Sequence, residues 1–237
     1  MPELSIVFPL YNEQENIPHV IPPVISVLEG RGIDYELVLV DNGSRDRTGE
    51  LLRELAAQNK RLKTVRVEVN QGYGWGIICG LNHAVGEYVG YMGSDGQILP
   101  QDIVRVYDMI KQDGLEFAKV KRVSRGDGWI RKINTLCYNN LFYTLFRVRS
   151  FDINGTPKIF KHTLLDKFNP VSKDWFLDAE LMIKAQAMGI EVGEVPVNFL
   201  PRKGGRSNVK LHTVQEFLDN MWEYRFGGKA DTWKKLK

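Results

Sequence analysis

The sequence predicts an α/β fold built on a mostly parallel central sheet flanked by helices. Three observations lead there. The runs Leu4–Leu10, Tyr35–Val40 and Tyr88–Met92 have strand length and are apolar almost throughout, as strands covered on both faces are. Each ends in a polar turn carrying an acid: Tyr11-Asn12-Glu13, Asp41-Asn42-Gly43-Ser44 and Ser94-Asp95-Gly96-Gln97. Segments with helical periodicity separate them, which is the rhythm of right-handed β-α-β crossovers.

The elements follow in order. Residues 15–29 read as a helix whose first turns are made irregular by Pro18, Pro22 and Pro23. Asp46 is placed to cap a helix carrying Leu51, Leu52, Leu55 and Ala56. Leu62–Val69 alternates as a third strand, and the glycine-rich stretch from Gln71 to Gly76 opens a helix running through Ala84. After Tyr88–Met92, Pro100 closes a loop and Ile103, Val104, Tyr107 and Ile110 mark a helix over 103–112. Glu116–Val120 reads as a fifth strand. The rhythm then breaks into a basic loop over 121–129, a long helix over 130–146 and turn-interrupted extended chain from Ser150 to Phe160. A helix over 178–188 with the stripe Leu177, Leu181, Ala185 and Met188, a strand over 190–200 and an amphipathic helix over 212–224 complete the chain. Residues 1–226 are expected to form one domain, with 227–237 as a charged, frayed tail.

At 237 residues, with 43% hydrophobic and 26% charged residues, the chain can bury a full core. A net charge of +3 is too small to call for a nucleic-acid partner, and none is expected. The basic residues cluster instead in Lys119–Arg125 and Arg202–Arg206, a scale that suits phosphate groups. Cys79 and Cys137 lack metal-ligand spacing and sit in apolar contexts, which points to reduced core thiols and a reducing compartment. The first residues lead directly into a strand, so no signal peptide is expected. No apolar run approaches the ~20 residues of a membrane span. The expected location is cytoplasmic, with contact at most at the cytoplasmic face of a membrane.

In a parallel sheet the three acid-bearing turns emerge at one edge, so Glu13, Asp41 and Asp95 are expected to converge. Convergent carboxylates near helix N-termini can read nucleoside hydroxyls and imino groups while a metal screens a diphosphate. Gly72, Gly74 and Gly76 follow a strand and open a helix, but Ile77 stands where a dinucleotide fingerprint continues. They can serve a tight strand-to-helix turn or line a sugar-nucleotide site.

These residues carry a resemblance. From Ile6 to about Lys210 the chain resembles a family 2 glycosyltransferase of the GT-A (nucleotide-diphospho-sugar transferase) fold, in the branch of dolichyl-phosphate mannose and polyprenyl-phosphate sugar synthases. Pro9-Leu-Tyr-Asn-Glu13 is similar to that family's "P-x-Y-N-E", and Asp41-Asn-Gly-Ser44 to its "D-D-G-S", with Asn42 in place of the second acid. Asn70–Gly86 resembles the glycine-rich helix before "A-x-G-[DE]-Y", and Met92–Pro100 lies on "M-D-A-D-L-Q-H-P-P". Asp174-Trp-Phe-Leu-Asp178-Ala-Glu180 resembles "F-x-x-D-x-E", and Val195-Pro196 with Arg202–Ser207 resembles "E-V-P … R … G-x-S".

The resemblance implies an inverting transfer from a nucleotide-sugar donor to a polyprenyl, dolichyl-type, phosphate. Pro9, Tyr11, Glu13, Asp41 and Asn42 would hold base and ribose, with Gly72 and Ser94 completing the donor site. Asp95 and Gln97 would hold Mg²⁺ or Mn²⁺ on the diphosphate. Gly93 stands where the first acid of the metal motif belongs, which predicts weaker metal affinity. The spacing of Tyr11, Glu13 and Asp41 does not distinguish guanine from uracil.

A lipid monophosphate has a second pKa near ~6 and is largely dianionic at neutral pH. Such a nucleophile needs cations more than a base. Arg122, Arg131, Arg202 and Arg206 are the candidates, with Ser207 beside them; the resemblance gives this work to Arg122, Arg131 and Arg202. A saccharide hydroxyl acceptor would instead require Asp178 as base. A third reading is a degenerate nucleotide-sugar-binding protein without turnover.

The segment 130–146 places Ile130, Ile133, Cys137, Leu141 and Leu145 on one face, widened by Tyr138, Phe142 and Phe146 and flanked by arginines. It can pack on the sheet or lie on a membrane, as the resemblance implies. A separate membrane-anchoring partner would fit that arrangement.

Overall fold

The computed structural model describes residues 1–125, 140–150, 152–200 and 211–229. The chain order is β1 (Leu4–Leu10), α1 (Ile17–Arg31), β2 (Tyr35–Asn42), α2 (Thr48–Gln58), β3 (Leu62–Val67), α3 (Tyr73–Leu81), β4 (Tyr88–Tyr91), α4 (Pro100–Asp113) and β5 (Phe117–Arg125). Residues 140–146 are helical (α5), followed by β6 (Lys158–Lys161), α6 (Thr163–Phe168), α7 (Leu177–Ala187), β7 (Val192–Phe199) and α8 (Leu211–Arg225).

One seven-stranded sheet runs in the order β3-β2-β1-β4-β6-β5-β7. Its pairs are parallel except at β6, which runs antiparallel to both β4 and β5. Strands β1 and β2 are buried at every residue, as their unbroken apolar runs require. Alternation along β1 divides the core. Leu4, Ile6, Phe8 and Leu10 face α1 and α4 residues such as Val24 and Ile103, while Val7 faces Ile77 of α3 and a cluster that includes Leu181 of α7.

The structure revises four expectations. β5 continues to Arg125, through what reads as loop, because β7 pairs with it in parallel as far as Arg125↔Phe199. β6 emerges as a regular strand from the end of the stretch read as turn-interrupted extended chain and runs one residue past it, and its lysines hide its burial from any hydropathy pattern. α1 runs through Pro22 and Pro23, since its buried stripe of Ile17, Val20, Ile21, Val24 and Leu28 anchors it to the sheet. α7 is not one-sided: Leu177 to Ala185 are all buried, including Asp178, Glu180 and Lys184.

In α5, Phe142 is buried in the core with Leu145 and Phe146 packed against it, as expected of that face, while Leu141, expected on the same face, is exposed beside Tyr143. Residues 126–139, with Arg131 and Cys137, lie outside the described residues, as do 201–210 with Arg202, Arg206 and Ser207. No helix among the described residues is long and apolar enough to cross a membrane.

Candidate active site

Hydrogen bonds stitch together the loops that leave the carboxyl ends of β1, β2, β3 and β4. The Asn12 amide donates to Ser44 Oγ at 3.0 Å and the Glu13 amide to Thr48 Oγ1 at 2.9 Å. Ser94 Oγ donates to the Pro9 carbonyl at 3.2 Å, and Asn42 Nδ2 to the Gly72 carbonyl at 2.9 Å. Pro9, Glu13, Asp41, Asn42, Gly72, Ser94 and Asp95 therefore share one edge of the sheet, where open α/β sheets hold ligands. The N-cap of α2 is Arg47, without a side-chain cap bond, and not Asp46 as expected: Asp46 sits one residue earlier, where its Oδ1 accepts from the Thr48 amide at 3.0 Å across a local turn.

Within this edge the acids differ in what they can offer. Asp41 is engaged at both oxygens: Oδ1 accepts from the Ser44 amide at 2.9 Å, and Oδ2 pairs with Arg66, its cross-strand neighbour on β3. Its neighbour Asn42 is buried and its Oδ1 has no hydrogen-bond partner, which makes it the unfilled acceptor in this row. Glu13 Oε2 accepts from Asn16 Nδ2 at 2.5 Å.

Glycines in α3 serve packing. A Cβ on Gly72 would meet the Lys173 carbonyl oxygen at 2.3 Å, and one on Gly74 would meet that of Ser172 at 2.3 Å. The Trp75 amide donates to the Lys173 carbonyl at 2.9 Å, so α3 and residues 172–174 lie backbone to backbone. This contact is a further use of these glycines, beside the tight turn and the sugar-nucleotide lining expected of them. It also seats Tyr73, whose ring stacks on Trp175 with centroids 4.3 Å apart. Burial raises the Tyr73 phenol well above its usual range, Asp178 and Asp95 push the same way, and Arg122 opposes them. Tyr73 thus stands among the three charged groups of the site. No sequence motif marks Tyr73, since a bulky ring in a glycine run reads as an obstacle to close backbone approach.

The Asp95 loop is compact. Asp95 Oδ1 accepts from the Gln97 amide at 3.1 Å, and Gln97 Nε2 donates to the Leu200 carbonyl at 3.0 Å. The Leu200 amide returns a bond to the Gln97 carbonyl at 2.9 Å, so this loop holds the end of β7 where the basic segment begins. Among the described residues no three His, Cys, Asp or Glu side chains gather as a metal site. Among the described residues, a Cβ at Gly93 would find only Asp95 Oδ1 within 4 Å, at 3.9 Å. One carboxylate beside open space fits a divalent ion that arrives with a diphosphate and keeps water ligands.

Opposite lies a buried charge network. Arg122 grips Asp152 in a fork, Nε to Oδ2 at 2.5 Å and Nη2 to Oδ1 at 2.6 Å. Burial opposes the Arg122 charge, but Asp152 overrides it and holds the guanidinium ionised; the same pair keeps Asp152 below the usual carboxylate range. Lys119, fully buried, reaches Glu194 at 2.9 Å and the Asp152 carbonyl at 2.6 Å. Asp178 Oδ1 accepts from Tyr91 Oη at 2.7 Å and from Lys158 Nζ at 2.5 Å. Glu180, in contrast, is a structural acid: its carboxylate takes the Val171 and Ser172 amides and Lys184 Nζ.

Residues 5–176 match the family model described as glycosyl transferase family 2. The chain belongs to glycosyl transferase family 2. A family relative, the undecaprenyl-phosphate 4-deoxy-4-formamido-L-arabinose transferase of Edwardsiella ictaluri, is 36% identical over 140 residues. That match covers 58% of this chain and 42% of the relative, so the chain spans less than half of that protein's length. Among solved structures, glucosyl-3-phosphoglycerate synthase of Mycobacterium tuberculosis with Mn²⁺, UDP and glucosyl-3-phosphoglycerate superposes with a TM-score of 0.72 at 19% identity, over 95% of this chain and 80% of that one. The same enzyme with Mg²⁺ and UDP gives 0.73 at 18% identity, with the same coverage of both chains. At these identities the likeness shows the fold, and it is the GT-A arrangement expected from the motifs.

Proposed function

We propose that this family 2 glycosyltransferase moves a sugar from a nucleotide-sugar to a polyprenyl phosphate with inversion. A phosphate oxygen attacks the anomeric carbon, the bond from that carbon to the donor diphosphate breaks, and the nucleoside diphosphate leaves. The observation that carries this reading is the state of Asp178. A hydroxyl acceptor needs a base to take its proton, yet Asp178 Oδ1 is held by a buried ammonium and a phenol. A phosphate dianion brings no proton to remove. The relative that acts on undecaprenyl phosphate supports the same acceptor class.

The chain's own residues divide the work. Tyr11, Glu13 and Asn42 face the nucleoside, with Asp41 bracing the loop through Ser44 and Arg66. Asp95, with Gln97 beside it, would hold Mg²⁺ or Mn²⁺, which when bound supplies screening of the donor's diphosphate. Arg122, pre-aligned by Asp152, meets the acceptor phosphate together with Arg131, Arg202, Arg206 and Ser207. Tyr73 and Trp175 wall the space between donor and acceptor. Contact with a membrane face belongs to this proposal and is supported by exposed Leu141 and Tyr143 next to exposed Arg147 and Arg149.

The test is a thermal-shift screen of UDP-, GDP- and dTDP-sugars with Mn²⁺ or EDTA. One base class should stabilise the protein, and more so with Mn²⁺. Stabilisation that ignores Mn²⁺, joined to an absence of transfer, would favour the binding-protein reading.

A further inference from the structure

β6 contributes a residue that no motif pointed to. In its register Lys158 lies directly between Tyr91 of β4 and Lys119 of β5, so three polar side chains form one row across the centre of the sheet. Lys158 and Lys119 are both fully buried. Burying an ammonium is costly, and an ion pair in its place adds little net stability compared with an apolar side chain of the same size. Two such residues in one row of a sheet core are therefore better explained by what they hold than by stability.

What Lys158 holds is Asp178. Its Nζ donates to Asp178 Oδ1 at 2.5 Å and to the Gly155 carbonyl at 2.9 Å, while Tyr91 Oη donates to the same Oδ1 at 2.7 Å. Two donors from adjacent strands converge on one oxygen, which fixes the carboxylate's rotation at the N-terminus of α7. The row continues through Lys119 to Asp152 and so to Arg122, joining two of the three charged groups around Tyr73, Asp178 and Arg122.

We propose that Lys158 is a positioning residue for Asp178, fixing through Oδ1 the orientation in which that carboxylate, without acting as a base, faces Arg122 and helps present it to the acceptor phosphate. The proposal rests on the glycosyl-transfer reading for its functional consequence and on the hydrogen-bond geometry for its structural one. The groups facing Lys158 are Asp178 from α7, Tyr91 from β4, Lys119 from β5 and Asp152 from the segment before β6. Burial pulls Lys158 down from 10.5 to about 8, against the attraction of Asp178. The ammonium is thus lost in mildly alkaline solution, and with it the stronger of the two donors on Oδ1.

The sign of the stability effect separates this loss from unfolding. Between about pH 8 and 10.5 the unfolded chain binds the proton and the native state does not, so the contribution of this group to stability rises with pH. Activity is expected to fall in the same window.

The test has two arms. In wild-type protein with ¹³C-labelled aspartate, the carboxyl resonance assigned to Asp178 through Asp178→Asn should move with a midpoint near pH 8. Lys158→Arg, which stays charged, should abolish that step. A flat Asp178 resonance across that range in the wild type would overturn the proposal. In transfer assays with undecaprenyl phosphate, Lys158→Gln should lower kcat at least tenfold at pH 7 with the donor KM within twofold. Lys158→Arg should restore kcat at least partly and move the alkaline limb upward by a pH unit or more. A Lys158→Gln variant with wild-type kcat and an unchanged pH profile would equally overturn it. If the Asp178 step is present but wild-type protein transfers to no lipid phosphate, the transfer reading fails while the positioning contact stands.

Discussion

Restoring the absent acid, Gly93→Asp, should tighten metal-dependent donor binding about tenfold. Among the described residues a Cβ at position 93 meets only Asp95 Oδ1, at 3.9 Å, and Gly93 is not among the glycines with a left-handed backbone. Two unit charges 4 Å apart in water interact by about 1 kcal/mol, so a new carboxylate near a dication gains about 2 kcal/mol. Ordering the side chain and stripping water return part of that, leaving about 1.4 kcal/mol, or a factor of ten. Repulsion between the introduced carboxylate and Asp95 is present with and without the metal, so it subtracts about 1 kcal/mol from the stability of the metal-free protein rather than from binding. The assay is calorimetric titration of the nucleoside diphosphate selected by the donor screen, with Mn²⁺ and with EDTA. Equal affinity for variant and wild type in Mn²⁺, with the fold intact, would refute the placement of the metal at this loop.

Other outcomes follow from the same geometry. Asp95→Ala should abolish the Mn²⁺-dependent part of nucleotide binding and leave the EDTA value unchanged, by the same titration. Arg122→Ala should raise the KM for undecaprenyl phosphate far more than that for the donor. It should also cost about 3–5 kcal/mol in urea unfolding, because Asp152 is left buried without its partner. Glu180→Gln should lower stability by about 3 kcal/mol through Lys184 and the 171–172 amides, with any fall in activity tracking the fraction folded. Gly74→Ala drives a methyl against the Ser172 and Asp174 carbonyl oxygens and should cost about 1–3 kcal/mol or more, read by denaturant midpoint.

Much of the donor edge was legible in the sequence because its signals are local. Apolar runs of strand length fixed β1, β2 and β4, and the acids in the turns behind them lie at one edge once the strands are parallel. The opposing half was not, because its meaning lies in contacts across the sheet. Lys119 reads as part of a basic cluster suited to phosphate and Lys158 carries no signal, and it is the insertion of β6 between β4 and β5 that makes both buried cations. Asp152 carried no motif, yet it determines how Arg122 is presented. Asp41 is expected at the nucleoside, and its pairing with Arg66, brought alongside by β3, is a contact the sequence does not announce. Gln97 is placed beside the metal by position, and the contact that its amide nitrogen makes with Leu200 at the end of β7 is not legible in the sequence.

The central claim is that an ionised lipid phosphate is the nucleophile. Its most direct test is mass spectrometry of the organic phase after incubating the protein with Mn²⁺, undecaprenyl phosphate and the nucleotide-sugar that binds. The account predicts a lipid product heavier than undecaprenyl phosphate by one sugar residue, formed in step with nucleoside diphosphate and inverted at the anomeric carbon. Release of nucleoside diphosphate with the lipid phosphate unchanged, and the sugar recovered on water or a saccharide, would contradict it.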